Sequence, residues 1–316
     1  MRKISTLSFL LLISFIASCS PATQTESLPA VEQATEAPSA VPTTAPTAEP
    51  SATLEPTPVP SPTALPGSQV YPIDSLGNEI PWLPMEEGKV PAVNFMGFNT
   101  QKPPFNNRLV RQAFSYAVDR EKITSLMSSY GAKNTRPASV VTPPETLGRD
   151  VYGEVGITFD PQKAKALFLE AGYDDPSAFP QVTLLVNLAG ANAVGAHLNV
   201  ANAMAAMWQE YLGVTINVEI ENNWDNYGAR LADDPPEIFR MGWAADYNDP
   251  DNFLRVVMHS GSEWNYGHFE NETFDQLVEQ AAESSDPLER LNFYLQAERI
   301  LVEEEAGLIP LYHSSY

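Results

Sequence analysis

The chain has 316 residues, with 40 acidic against 18 basic side chains and a formal net charge of -22. That charge repels a phosphate backbone and excludes sequence-independent nucleic-acid binding. A single cysteine excludes an intramolecular disulfide and a cysteine-rich zinc site, so stability must rest on a hydrophobic core.

Arg2 and Lys3 precede a short apolar run, Leu7 to Ala17. A bilayer crossing takes roughly 20 mostly apolar residues, so this run fits a secretory leader over residues 1–18 better than a permanent span. Ile16-Ala17-Ser18-Cys19 resembles the lipobox of bacterial lipoproteins. The resemblance implies cleavage before Cys19 and lipidation of its thiol, giving a membrane anchor. From Ser20 to Pro66 the chain is dominated by Pro, Thr, Ala, Ser and Glu, with no aromatic residue and no Lys or Arg. Such a segment buries too little apolar surface to offset the cost of ordering it, which predicts a disordered, extended tether. Fully extended at about 3.1 Å per residue, it would reach on the order of 145 Å. Residues 67–92 read as an extended lead-in, and 93–316 as the folded part.

In that folded part, Asn107 caps a helix expected to run to about Ser128, with Val110, Phe114, Ala117 and Val118 on one face. Asp160-Pro161 is a cap-plus-N1 pair, followed by Ala164, Leu167, Phe168 and Ala171, with Gly172 as the stop. Gln181 to Leu188 reads as a strand, and Val194 to Tyr211 as a helix with Ala201, Met204, Ala205 and Trp208 along one stripe. Gly213 ends that helix. Val214, Ile216, Val218 and Ile220 alternate with polar residues at the period of a half-buried strand. Trp224 to Ala232 reads as a short helix and Glu237 to Trp243 as a strand. Two helices follow, near Glu272–Ser284 and Pro287–Glu304. In the second, Asp286 caps, Pro287 takes N1, and Glu289 completes a capping-box spacing. Leu308 to Tyr312 is the final strand. Strands separated by helices predict an α/β architecture with a mixed or parallel sheet.

Catalytic signatures are missing from the sequence: there is no HExxH, GxSxG, GxGxxG or P-loop. His197, His259, His268 and His313 are scattered, without helical metal-ligand spacing, and read as surface or pocket-lining residues. The loop from Asp246 to Asn252 has oxygen ligands at the first and third positions of an EF-hand. Pro250 stands at the fifth, Asp251 at the sixth and Val257 at the twelfth, so the calcium motif fails. Glu303, Glu304 and Glu305 diverge around a helix axis and read as a solvated face, not a glycosidase pair. No catalytic residue, metal or cofactor is expected.

Five blocks, taken in order, resemble the bacterial solute-binding proteins of family 5, the oligopeptide and dipeptide receptors of ABC importers. They are Phe98-Asn99-Thr100 through Pro103-Pro104-Phe105, Arg111-Gln112-Ala113 and Ala117-Val118-Asp119-Arg120; Asp160 to Ala164 with Leu167 and Ala171-Gly172-Tyr173; Trp208 with Leu212-Gly213-Val214; Gly242 to Tyr247 with Asp249-Pro250 and Asn252-Phe253; and Asp275, Leu277, Arg290, Gln296-Ala297-Glu298 with Ile309 to Tyr312. The resemblance implies one lobe of a type II periplasmic-binding-protein fold, a mixed sheet flanked by helices. It implies a binder with no catalytic step, which takes peptides or related small solutes outside the cytoplasmic membrane and delivers them to an ABC permease. Asp246 would then pair with a ligand's α-ammonium and Arg240 with a peptide carboxylate. Trp243, Tyr247 and Asn248 would line the pocket. The blocks match the C-terminal half of such receptors, so a separately encoded N-terminal lobe is one expectation. A one-lobed, tethered interaction or structural module is the alternative.

Overall fold

The structure is a computed structural model and describes residues 90–147, 152–153, 155–188 and 195–315. The leader, Cys19, the proline-rich stretch and most of the lead-in lie outside the described residues. Six strands form one sheet in the order β2-β6-β1-β5-β3-β4. They are β1 (Pro91–Phe98), β2 (Arg136–Pro137), β3 (Val182–Asn187), β4 (Ile216–Glu221), β5 (Ile238–Ala244) and β6 (Leu308–Ser315). β1 runs antiparallel to both β5 and β6, and β2 antiparallel to β6, whereas β3 is parallel to β4 and β5. The sheet is therefore mixed, as expected.

Helices cover both faces. α1 (Arg108–Tyr116), α2 (Arg120–Ser129), α3 (Pro161–Glu170) and α4 (Ala196–Leu212) pack on one side. α5 (Trp224–Asp233), α6 (Arg255–Met258), α7 (Glu272–Glu283) and α8 (Pro287–Arg299) pack on the other. The pleat divides each strand between two cores. Val93 and Phe95 of β1, Leu185 of β3 and Phe239 and Met241 of β5 face α5–α8. Met96 and Phe98, Val182, Leu184 and Val186, and Ile238 face α1–α4. Trp208 is fully buried in the second core, and its Nε1 donates to the Phe114 carbonyl at 2.9 Å.

Two of the expected helices differ from expectation. The single helix expected from Asn107 to Ser128 is two: α1 ends at Ala117, and Asp119 caps α2 by accepting from the Lys122 amide at 3.1 Å. An N-cap residue has extended backbone, which ends the preceding helix whatever the apolar periodicity. The helix expected over Pro287–Glu304 is α-helical only to Arg299 and then widens into a π turn over Ile300–Glu304. Of the three glutamates expected on a solvated face, Glu304 is exposed, whereas Glu303 and Glu305 are half-buried: Glu305 bonds the Arg111 guanidinium at 3.1 Å and Glu303 lies 3.8 Å from Arg299.

The segment after β2 is held by two buried titratable groups. Glu298, wholly buried, accepts from the amides of Val141 at 3.0 Å and Thr142 at 2.6 Å. His313, only 3% exposed, donates from Nε2 to the Val140 carbonyl at 2.9 Å. His313, expected at the surface or in a pocket, is a core residue of β6.

Candidate ligand cleft

The connection β3–α4–β4 leaves β3 over one face of the sheet. The return β4–α5–β5 crosses β3 and runs over the other face. Strand order thus reverses at β3, and such a switch point opens a crevice beyond the carboxyl ends of the strands. A cleft of about 800 Å³ lies there. Its lining comes from the start of β1, the end of β5 and the end of β6. The first residues of α4 and α5 and the loop after α2 complete it.

Arg240 and Trp243 border this cleft, as expected from sequence. The half-buried Arg240 guanidinium donates to Asn94 Oδ1, and its backbone carbonyl accepts from the Tyr227 hydroxyl. Tyr227 is buried, which pushes its phenol well above the usual range, and its ring stacks at 5.8 Å on Trp224 at the cleft wall. Trp243 donates from Nε1 to Asn252 Oδ1 at 2.8 Å and meets Trp264 edge-on at 5.1 Å. Asn252 is 1% exposed; the same Oδ1 accepts the Asp246 amide at 3.0 Å, and Nδ2 lies 3.4 Å from Asp246 Oδ2.

Asp246, Tyr247 and Asn248 follow β5 and are not among the cleft-lining residues. Asp246 is exposed and has no ion-pair partner among the described residues. Tyr247 turns to donate to Asp251 Oδ2 at 2.5 Å, and Asn248 is half-buried in the same loop. The loop's other carboxylates are occupied by arginine forks. Arg290 holds Asp249 at 2.8 and 2.9 Å, and Arg255 holds Asp251 at 2.6 and 2.8 Å. Planar, bidentate pairing of this kind leaves no open cage for a calcium ion.

His197, expected at the surface or in a pocket, borders the cleft, and Asn94, Lys133 and Trp224 are among the lining residues not expected from sequence. His197, at the start of α4, donates from Nδ1 to the Asn187 carbonyl at 3.3 Å. Burial, then the nearby Arg240 charge, lowers its pKa to about 4, so the imidazole is neutral at physiological pH with Nε2 left as an acceptor. Asn94 carried a signal, being the one polar side chain in the apolar run Ala92–Phe98. Among the described residues, no group of side chains is arranged to hold a metal ion, and no helix is long and apolar enough to cross a membrane.

A family model described as bacterial extracellular solute-binding proteins, family 5 Middle, matches residues 57–265. The chain is 35% identical over 243 residues to a probable deoxycholate-binding periplasmic protein, YgiS, of Escherichia coli (strain K12), covering 73% of this chain and 42% of the relative. It is 32% identical to the periplasmic oligopeptide-binding protein OppA of Salmonella typhimurium (strain LT2), covering 68% and 38%. Among solved structures, a dipeptide-binding protein from Pseudoalteromonas sp. SM9913 in complex with Met-Leu is similar. It has a TM-score of 0.62 and 28% identity, covering 73% of this chain and 45% of that one. The chain therefore spans about two fifths of the length of the curated relatives it matches.

Proposed function

The chain belongs to the bacterial extracellular solute-binding proteins of family 5, and from this membership and the cleft we propose that it binds peptides for an ABC importer. It is a binding component with no catalytic step, and it delivers its ligand to a permease. One observation carries the peptide reading. Among the described residues, Arg240 of β5 is a guanidinium with no carboxylate partner, and Asp246, six residues on, is a carboxylate with no cationic partner. A zwitterionic peptide has the opposite charge at each end. Arg240 takes the carboxylate and Asp246 the α-ammonium, by charge-assisted hydrogen bonds that strengthen as water is excluded. Trp243 and Trp224 offer apolar walls, while Tyr247 and Asn248 support the loop that carries Asp246.

A second wall, from a separately encoded N-terminal lobe, closes over the ligand. Lipidation at Cys19 anchors the protein on the extracytoplasmic side of the membrane, and the proline-rich tether sets its reach. Calorimetric titration of the full chain with a tripeptide tests the site. Arg240→Gln and Asp246→Asn are each expected to weaken binding by about tenfold or more, the loss of one charged hydrogen bond. Binding unchanged in both variants would remove the assignment. For the anchor, Cys19→Ser should move the protein from the membrane to the soluble fraction.

A further inference from the structure

The charge of the cleft runs against the charge of the chain. Overall, acidic residues outnumber basic ones by 40 to 18, yet the described residues bordering the cleft include Arg240, Lys133 and the neutral His197, and no Asp or Glu. Elsewhere among the described residues, most cations are matched, the exposed Lys165 on the outer surface of α3 being an exception. Arg108, Arg111, Arg136, Arg230, Arg255, Arg290 and Arg299 all have a carboxylate within 3.9 Å. Lys102 and Lys122 do as well. Arg120 has none, but it is buried on the Pro310 carbonyl at 2.7 Å and the Ser115 hydroxyl at 3.1 Å. Lys163 lies over the Tyr116 ring. Arg240 and Lys133 thus bring two uncompensated positive charges to one concavity.

Lys133 is exposed, but the loop that carries it is fixed. Gly131 has φ +84°, and its amide donates to the Ser128 carbonyl at 2.9 Å while the Ala132 amide donates to Met127 at 3.2 Å. These two bonds form the Schellman arrangement that ends α2. Tyr130 adds a tie to α4 by accepting from Asn199 Nδ2 at 2.7 Å. The ammonium is therefore presented from a defined backbone at the cleft wall.

We infer that the cleft selects ligands with two anionic groups, and that Lys133 reads the second one. Resting on the peptide reading above, this names the ligand class as acidic peptides, with Arg240 on the main-chain carboxylate and Lys133 on an Asp or Glu side chain. The net charge of -22 acts at longer range and is screened beyond about 8 Å at physiological ionic strength. The two local cations therefore decide preference at contact.

The test is calorimetric titration of the full chain with Ala-Ala-Ala, Ala-Glu-Ala, Ala-Lys-Ala and glutarate. Ala-Glu-Ala is expected to bind about fivefold more tightly than Ala-Ala-Ala, the range of one partly exposed ion pair, and Ala-Lys-Ala more weakly than either. Lys133→Gln should bring Ala-Glu-Ala to the affinity of Ala-Ala-Ala without changing the latter, and Lys133→Glu should reverse the order. Equal affinities in the unaltered chain, or a glutamate preference that survives Lys133→Gln, would overturn the inference and leave the peptide reading intact. If no peptide binds, that reading fails by itself, and glutarate decides the present one. Lys133-dependent glutarate binding upholds it, and absent or Lys133-independent binding sinks it.

Discussion

Arg240 reaches Asn94 diagonally across the β5–β1 pair, and it does so over Gly242, the residue directly opposite Asn94. A Cβ at Gly242 would stand 3.0 Å from Asn94 Oδ1 and 3.2 Å from Arg240 Nη2. The absence of a side chain at this position therefore sets the course of the guanidinium. Gly242→Ala is expected to displace Arg240 and to weaken peptide binding by about tenfold, the worth of a charged hydrogen bond. The strand itself should persist, so calorimetry would register a loss that circular dichroism does not.

Acid should loosen the wall behind β2. His313 is buried, and that desolvation, followed by the Arg136 charge, lowers its pKa to about 4, whereas an unfolded histidine titrates near 6.5. Above pH 6.5 both states are neutral, and this residue adds no pH dependence. Between about pH 6.5 and 4 the unfolded chain takes a proton that the native protein refuses. Stability then falls by at most about 1.4 kcal/mol per pH unit. Melting curves across this window should show that decline, with a shallower slope in His313→Gln.

Thr146 is fully buried with an Oγ1 that has no hydrogen-bond partner among the described residues. A buried hydroxyl without a partner carries its desolvation cost uncompensated. Thr146→Val keeps the shape and removes that cost, and should stabilise the protein by about 1 kcal/mol, or about 2–4 °C in melting temperature. A lower melting temperature would mean that the hydroxyl has a role the hydrogen-bond geometry misses.

The loop that carries Asp246 depends on Arg290. Its guanidinium bonds both oxygens of Asp249 and also donates to the Ala281 carbonyl at 2.8 Å, tying the loop to the end of α7. Arg290→Met would strand a partly buried carboxylate and should cost about 2–4 kcal/mol in denaturant unfolding. Arg290→Lys should recover little of it, because an ammonium cannot reproduce the planar fork. Faster proteolytic cleavage within residues 246–252 would locate the effect.

Much of the fold was legible because helix starts have a local chemistry. Asp160-Pro161 and Asp286-Pro287 announce α3 and α8 by cap and N1, and both helices begin there. Asp119 obeys the same rule, but apolar residues continue through Ala117 and Val118 and hide the break. β1 went unassigned because it is buried on both faces, and eight consecutive buried residues have no alternation to detect. The cleft was half legible. Arg240 and Trp243 lie on one strand, where spacing along the chain is informative. Lys133, His197 and Trp224 come from three separate elements that meet only because β5 inserts beside β3 after β4 has formed on its other side.

The sheet order also bears on when this lobe can fold. β6, the last strand in chain order, lies inside the sheet, with β1 on one flank and β2 on the other. Pro91 is in register with Ser315, so this pairing spans nearly the whole lobe. Until the final strand emerges from the ribosome, β1 has an open edge and His313 cannot engage Val140. Contacts of such sequence separation slow folding and defer closure of the sheet until β6 is present. A polypeptide with this topology cannot complete its sheet, and so cannot close the core behind β1, before β6 is available.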